Sequence, residues 1–322
     1  MRIRVMSVVL GMAVGVCFGA AGSGSNAALE YYRTWGVMDG ELATVLVTGD
    51  TLELAEGGEA RLVESDETVG ALLESARSGS ADWGVDLSEG PEVLLPHLGN
   101  LRASAKILTA DALRCAAAGD DAGAAERAGA VFRMSLQSRG DGTLISSLVG
   151  MAIGNLGVTL TEQMIAEGVI GAEEAGIVLE GIRSGEMPDR YAFCDAIVGE
   201  WRMMSEFIVR NAPAEDAGVW LRERLSFADD AAAAEKLLKM DRSELMRELG
   251  GYAEYHADLL AAWTAQDKDA IEAAEQRVQA GGYGALTELI GATLTRAYGS
   301  DRESEAALRA LIEELEGIRA DG

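Results

Sequence analysis

From about residue 90 to the C-terminus, apolar side chains recur every third or fourth position, a spacing that only a helix turns into a continuous face. Leu94, Leu98, Leu101, Ala105, Leu108, Ala112 and Cys115 advance by four and three in alternation. That lines them along one side of a rod with about 3.6 residues per turn. Pro91 and Pro96 stand at its start, where proline is tolerated because first-turn N–H groups have no helical acceptor. Gly119-Asp120-Asp121 ends it. Ala124, Ala125, Ala128, Val131, Phe132 and Leu136 then open a second helix whose small residues suit close packing against the first. The pair reads as a helical hairpin.

Further amphipathic stretches follow at about 172–184, 189–210, 229–239, 243–265, 268–279, 284–299 and 303–319. Met187-Pro188, Ala212-Pro213 and Gly281-Gly282 break them. Before residue 90 the signal is thinner: Leu29 to Trp35 and Thr68 to Arg77 predict helices, and Thr44 to Ala55 reads equally as helix or short strands. The expected fold is all-α, an irregular array of antiparallel helical hairpins. The Gly119-Asp120 turn with Ala124 is distantly tetratricopeptide-like, and Ala270 and Ala274 echo Ala124 and Ala128. A repeat of about 34 residues is not sustained, however. One α-helical domain over 26–322 is expected, with 210–230 as a weak sub-boundary.

Thr143 to Thr161 is nineteen residues without a charge, long enough to suggest a membrane span. Gly150, Gly154 and Gly157 occur at close-packing intervals, and Ser146, Ser147, Asn155 and Thr159 dilute the apolar run. A helix apolar all round is also what the centre of a domain requires. A central buried helix is therefore expected here.

The N-terminus carries an export signal. Arg2 and Arg4 precede an uncharged run from Val5 to Ala21, and Ala20, Ala21 and Gly22 supply the small residues that a signal peptidase accepts. Residues 1–25 read as a signal peptide, cut between Ala20 and Ala27, and the mature chain as periplasmic or extracellular. The alternative is an uncleaved anchor, although the run is short for a span. With 53 acids against 27 bases the chain has a formal charge of −26, which loss of Arg2 and Arg4 takes to −28. Such a surface repels nucleic acid and anionic lipid. No nucleic-acid partner is expected, and membrane contact only through an uncleaved N-terminal segment.

One ordered series of short motifs carries a resemblance. Asn26-Ala27-Ala28 with Tyr31-Tyr32 is followed by Asp82-Trp83-Gly84-Val85-Asp86, Gly90-Pro91 and Pro96-His97-Leu98. Arg102, Asp111-Ala112, Gly119-Asp120, Leu144-Ile145 and Leu148-Val149 complete it. Over about residues 26–165 it resembles uncharacterised exported α-helical proteins of planctomycete-type bacteria. The resemblance implies an all-helical fold and an envelope address, and brings no activity.

Candidate chemistry is sparse. His97, one of two histidines, follows Pro96 at a helix start, where Asp86 and Arg102 could approach it. That trio is the candidate ligand or general-base cluster; the plainer reading is a histidine that fixes the Trp83–Pro91 loop, with Trp83 as an aromatic plug. Around His256, Glu254 and Asp258 stand one turn apart and could share a cation, while Tyr252, Tyr255, Leu259 and Trp263 read as a packed stripe. No zinc spacing, G-x-S-x-G elbow or EF-hand occurs; Asp267-Lys-Asp269 has Glu272 and Val278 where a calcium loop needs Gly and Glu. Gly281-Gly282-x-Gly284 follows a helix rather than a strand, so it makes no phosphate cradle. Arg139-Gly140-Asp141 reads as a chance tripeptide at a turn. No metal or cofactor is expected. Cys115 and Cys194 remain after export and could form one disulfide, with free buried thiols as the alternative. The leading functional expectation is a non-enzymatic exported scaffold or protein- and peptide-interaction protein; the rival is an enzyme or small-ligand binder using Asp86, His97 and Arg102.

Overall fold

The computed structural model of the protein describes residues 26–47, 51–185, 188–225, 231–291 and 293–322; the expected signal peptide lies outside them. Among these residues the fold is all-α apart from one short ladder. Helix α1 (Ala27–Trp35) starts on Asn26, whose side chain accepts from the Ala28 N–H and satisfies a donor that a helix start leaves open. A 3-10 turn at Gly40–Thr44 leads to β1 (Leu46–Val47), which pairs antiparallel with β2 (Glu53–Leu54). The described part of the ambiguous Thr44–Ala55 segment is thus part turn and part strand. Next come α2 (Gly58–Glu64), which carried no sequence signal, α3 (Asp66–Arg77) and a 3-10 turn at Leu87–Glu92.

Helix α4 (Pro96–Ala117) begins two residues after Leu94, where its stripe starts. Pro96 sits in the first turn and keeps Leu95 out of helical backbone, at φ −118° and ψ 57°. Leu94 is therefore cut off from the stripe and 82 % exposed, whereas Leu98, Leu101, Ala105, Leu108, Ala112 and Cys115 are buried. At the turn into α5 (Asp121–Gln137), Gly119 adopts φ 75°, the Asp120 N–H reaches back to Cys115 O at 2.9 Å, and the Asp120 carboxylate accepts from the Gly123 N–H. This left-handed stop followed by an Asp cap closes one helix and opens the next within three residues.

A 3-10 turn at Ser138–Asp141 precedes α6 (Leu144–Ala166), then α7 (Ala172–Arg183). By length and composition α6 could cross a membrane, at a mean hydropathy of 1.6, yet 61 % of that window is buried inside the protein. Its glycines accept neighbours at backbone distance. A Cβ built on Gly150 would lie 2.6 Å from the Ser135 carbonyl oxygen, and one on Gly154 2.5 Å from the Tyr191 hydroxyl. One narrow face, with Ile145, Leu148, Ala152 and Asn155, remains exposed.

The rest of the chain supplies α8 (Phe193–Asn211), α9 (Ala217–Arg224), α10 (Ala231–Leu237), α11 (Arg242–Thr264), α12 (Lys268–Gln279), α13 (Ala285–Ile290) and α14 (Thr295–Asp321). The α11–α12 turn repeats the α4–α5 solution, with Gln266 at φ 55° and Asp267 as cap. The expected helices at 284–299 and 303–319 divide elsewhere: the break falls at Gly291, and α14 runs unbroken through Gly299. Glu275 fixes the new start by accepting from the Thr295 N–H at 2.6 Å and its hydroxyl at 2.7 Å.

Among the described residues three apolar cores result. The first joins α1 to α7 with the C-terminal half of α14. The second packs α8, α11 and α12 around Phe193, Tyr255 and Trp263. The third gathers α9, α10 and α13 on Phe207, Ile208 and Leu245. Helices α8 and α11 each contribute to the second and third, and Ala212, Ala217, Leu221 and Leu225 are buried in the third. The described part of the 210–230 segment, as far as Leu225, therefore contributes to a core.

Candidate functional site

The Trp83 loop is delivered by Asn26. Its side-chain amide donates to Asp82 O at 2.8 Å and its oxygen accepts from the Asp82 N–H at 2.9 Å. Trp83 then stacks between Trp35, at 5.7 Å and 9°, and the His97 ring, at 4.7 Å and 18°. Its indole N–H donates to Gln137 O at 2.9 Å. Gln137 in turn accepts from the Tyr31 hydroxyl at 2.7 Å and donates to the carbonyls of Ser78 and Gly79 at 3.0 Å. The aromatic plug expected at Trp83 is present, locked by a glutamine at the end of α5.

His97 Nε2 lies 3.0 Å from Asp141 Oδ2, with the two side chains 1 % and 0 % exposed. Asp141 Oδ1 also accepts from the Thr143 N–H and hydroxyl, both at 3.0 Å. Burial alone would raise the Asp141 pKa, but hydrogen bonds from His97, Ser146 and Thr143 outweigh it and lower it. The aspartate that meets His97 is therefore the last residue of Arg139-Gly140-Asp141. Arg139 is used as well, donating to Arg190 O at 2.6 Å. Nearby, Glu200 accepts from the Leu144 N–H at 3.1 Å; burial raises its pKa, and the Asp141 charge adds to the rise.

Asp86 and Arg102 do not join this pair. Asp86 is exposed and caps the Ser88 N–H at 2.9 Å, and its pKa is lowered by the Ser88 hydrogen bonds. Arg102 is exposed on α4, about 140° around the helix from His97. The expected trio is dispersed: Asp86 caps its own turn, His97 pairs with Asp141, and Arg102 lies on another face of α4.

The turn that Asp86 opens forms one wall of a cavity of about 650 Å³, lined by Ser88, Glu89, Glu92, Phe207, Asn211, Trp220 and Arg224. Gly90, at φ 66°, lies on the Phe207 ring, where any side chain would collide. Phe207 stacks on Trp220 at 5.3 Å and 24°. The Arg224 guanidinium sits 4.9 Å from the Trp220 centroid, with its Nε 4.0 Å from Glu92. A second cavity, of about 230 Å³, lies between Tyr255, Glu275 and Glu288. Neither cavity is lined by His97, Asp141 or Arg102.

The remaining reactive groups are committed to packing. His256 Nδ1 lies 2.9 Å from Tyr252 O, and burial lowers its pKa to about 4. Tyr252, Tyr255, Leu259 and Trp263 are buried as the stripe predicts. Glu254 and Asp258 do share a cation, the Arg277 guanidinium, at 2.7 and 3.5 Å. Both cysteines are free: Cys115 is buried in the first core, while Cys194 packs against the second. The two thiols stand apart, each in a different apolar cluster, as the free-thiol alternative has it. Burial raises both thiol pKa values, Cys194 to about 12. Among the described residues no three His, Cys, Asp or Glu side chains are grouped to hold a metal ion.

A last polar cluster had no sequence prediction. Asp301 and Glu305, one turn apart on α14, are buried, and Arg302 binds both. Asp301 Oδ1 and Trp263 Nε1 lie close to each other outside hydrogen-bond geometry, and Glu305 Oε1 has no partner. Arg190, fully buried between α7 and α8, donates to Ile182 O at 2.6 Å, and burial lowers its pKa to about 10. No protein family, curated protein or solved structure matches the chain.

Proposed function

We propose that this chain is a non-enzymatic helical scaffold or protein-interaction protein of the cell envelope, exported through its N-terminal segment. One observation carries the interaction reading. His97, His256 and Cys115 are buried and Cys194 is half-buried, while a cleft is lined by stacked aromatics and mixed charge. A general base or nucleophile must reach its substrate. A helical array with an open cleft, by contrast, suits recognition of a peptide or partner helix. Arg2, Arg4 and the uncharged run after them support export, as does the resemblance to exported planctomycete-type proteins.

Two measurements test the proposal. N-terminal sequencing of protein from the envelope fraction is expected to begin between Ala21 and Ala28; intact Met1 in the cytosol refutes export. Photo-crosslinking in intact cells is expected to join the chain to a second polypeptide. A chain that stays uncrosslinked refutes the interaction role.

A further inference from the structure

We infer that the cleft between the 87–92 turn and helices α8 and α9 receives a basic side chain, arginine or lysine, presented by a partner polypeptide; this rests on the interaction reading above. The first argument is the ring itself. Trp220 already carries a guanidinium, that of Arg224, 4.9 Å from its centroid, so the chain demonstrates on itself what the indole face accepts. Phe207 stacks against Trp220, holding the ring in place.

The second argument is charge. Two carboxylates, Glu89 and Glu92, rim the cavity against one arginine, on a chain of formal charge −26. The surrounding field gathers cations and repels acidic segments. Among the described residues one ion pair crosses the rim, Arg224 with Glu92; it is long at 4.0 Å, and its partners are 35 % and 61 % exposed. A pair so open to water is weakly held, and an incoming cation can replace it. The cavity, about 650 Å³, falls within the range that binds ligands of side-chain size and larger.

The probe is a short fluorescein-labelled Gly-Ser peptide with a central Arg-Leu-Arg, read by anisotropy against the purified full-length chain. Its citrulline and Glu-Leu-Glu analogues serve as neutral and acidic comparisons. The arginine peptide is expected to bind, and the citrulline and acidic peptides are not. Trp220→Leu should weaken binding about ten-fold, and Glu92→Gln about three-fold. Arg224→Gln should strengthen it by removing the resident cation. Circular dichroism controls for folding, and the exposed Glu92→Gln keeps the test valid if Trp220→Leu unfolds. Equal binding of the citrulline peptide, preference for the acidic one, or an equal loss in a remote Glu313→Gln/Glu314→Gln control would overturn the inference. If the peptide fails while cellular crosslinks persist, the basic-ligand inference falls and the interaction reading stands.

Discussion

Replacing Glu305 by glutamine should make the protein more stable at pH 8 and leave it nearly unchanged at pH 5. Glu305 is 1 % exposed on the inner face of α14. Arg302 holds its Oε2 at 3.0 Å and Arg309 at 3.3 Å, while Oε1 has no partner. Burial is the main cause that pushes its pKa from 4.5 up to about 7; Arg302 and Arg309 oppose the rise, and Asp301 and Asp189 add to it. The folded chain therefore keeps a proton that the unfolded chain has already released between pH 4.5 and about 7. Stability from this group is complete below pH 4.5, falls as pH rises, and is lost beyond about pH 7. The shift is worth at most about 3 kcal/mol. Arg309, 54 % exposed, admits solvent screening, so about 1–2 kcal/mol is the expected net. Glutamine keeps the shape and an acceptor for Arg302 but has no ionisation to suppress. Urea unfolding of both proteins at pH 5 and pH 8 measures the difference, in which the other carboxylates cancel. A Glu305→Gln variant destabilised equally at both pH values would show an ordinary ionised pair and refute the reasoning.

Asp141→Ala leaves His97 buried without its partner and strips the Thr143 cap, and should cost about 3–5 kcal/mol in urea unfolding. Gly154→Val drives a branched side chain into the Tyr191 hydroxyl, and should cost about 3 kcal/mol or prevent folding, read from the thermal midpoint. Both thiols should resist maleimide labelling at neutral pH in the folded protein and react after denaturation without reductant, since neither is oxidised and burial suppresses both thiolates.

The helices were legible because apolar periodicity records which face is buried, whatever it is buried against. Leu98 through Cys115, Ala124 through Phe132 and Leu308 through Leu315 are read correctly on that ground. Partners are another matter. Tyr31 meets Gln137 across 106 positions and His97 meets Asp141 across 44, and no local pattern encodes pairings of that reach. Asp86 and Arg102 were nearer in sequence to His97, but Asp86 caps its own turn and Arg102 lies about 140° around α4. The cleft was hidden for the same reason: its walls come from three elements, and its aromatic floor looks like ordinary amphipathic helix.

The α14 cluster is different, because its signal was present in the sequence. Leu308, Leu311 and Leu315 extend backwards through Glu305, Asp301 and Tyr298 at the same three- and four-residue steps. Acids at those positions suggest a solvent face and a helix beginning near residue 303, yet Tyr298, Asp301 and Glu305 are all buried. Two carboxyls in register with an apolar stripe conflict with burial unless a cation or a proton neutralises them. The structure uses both means, Arg302 between the two acids and a raised pKa on each. A charge on the buried step of a helical stripe is thus a sign that a neutralising partner has been built in.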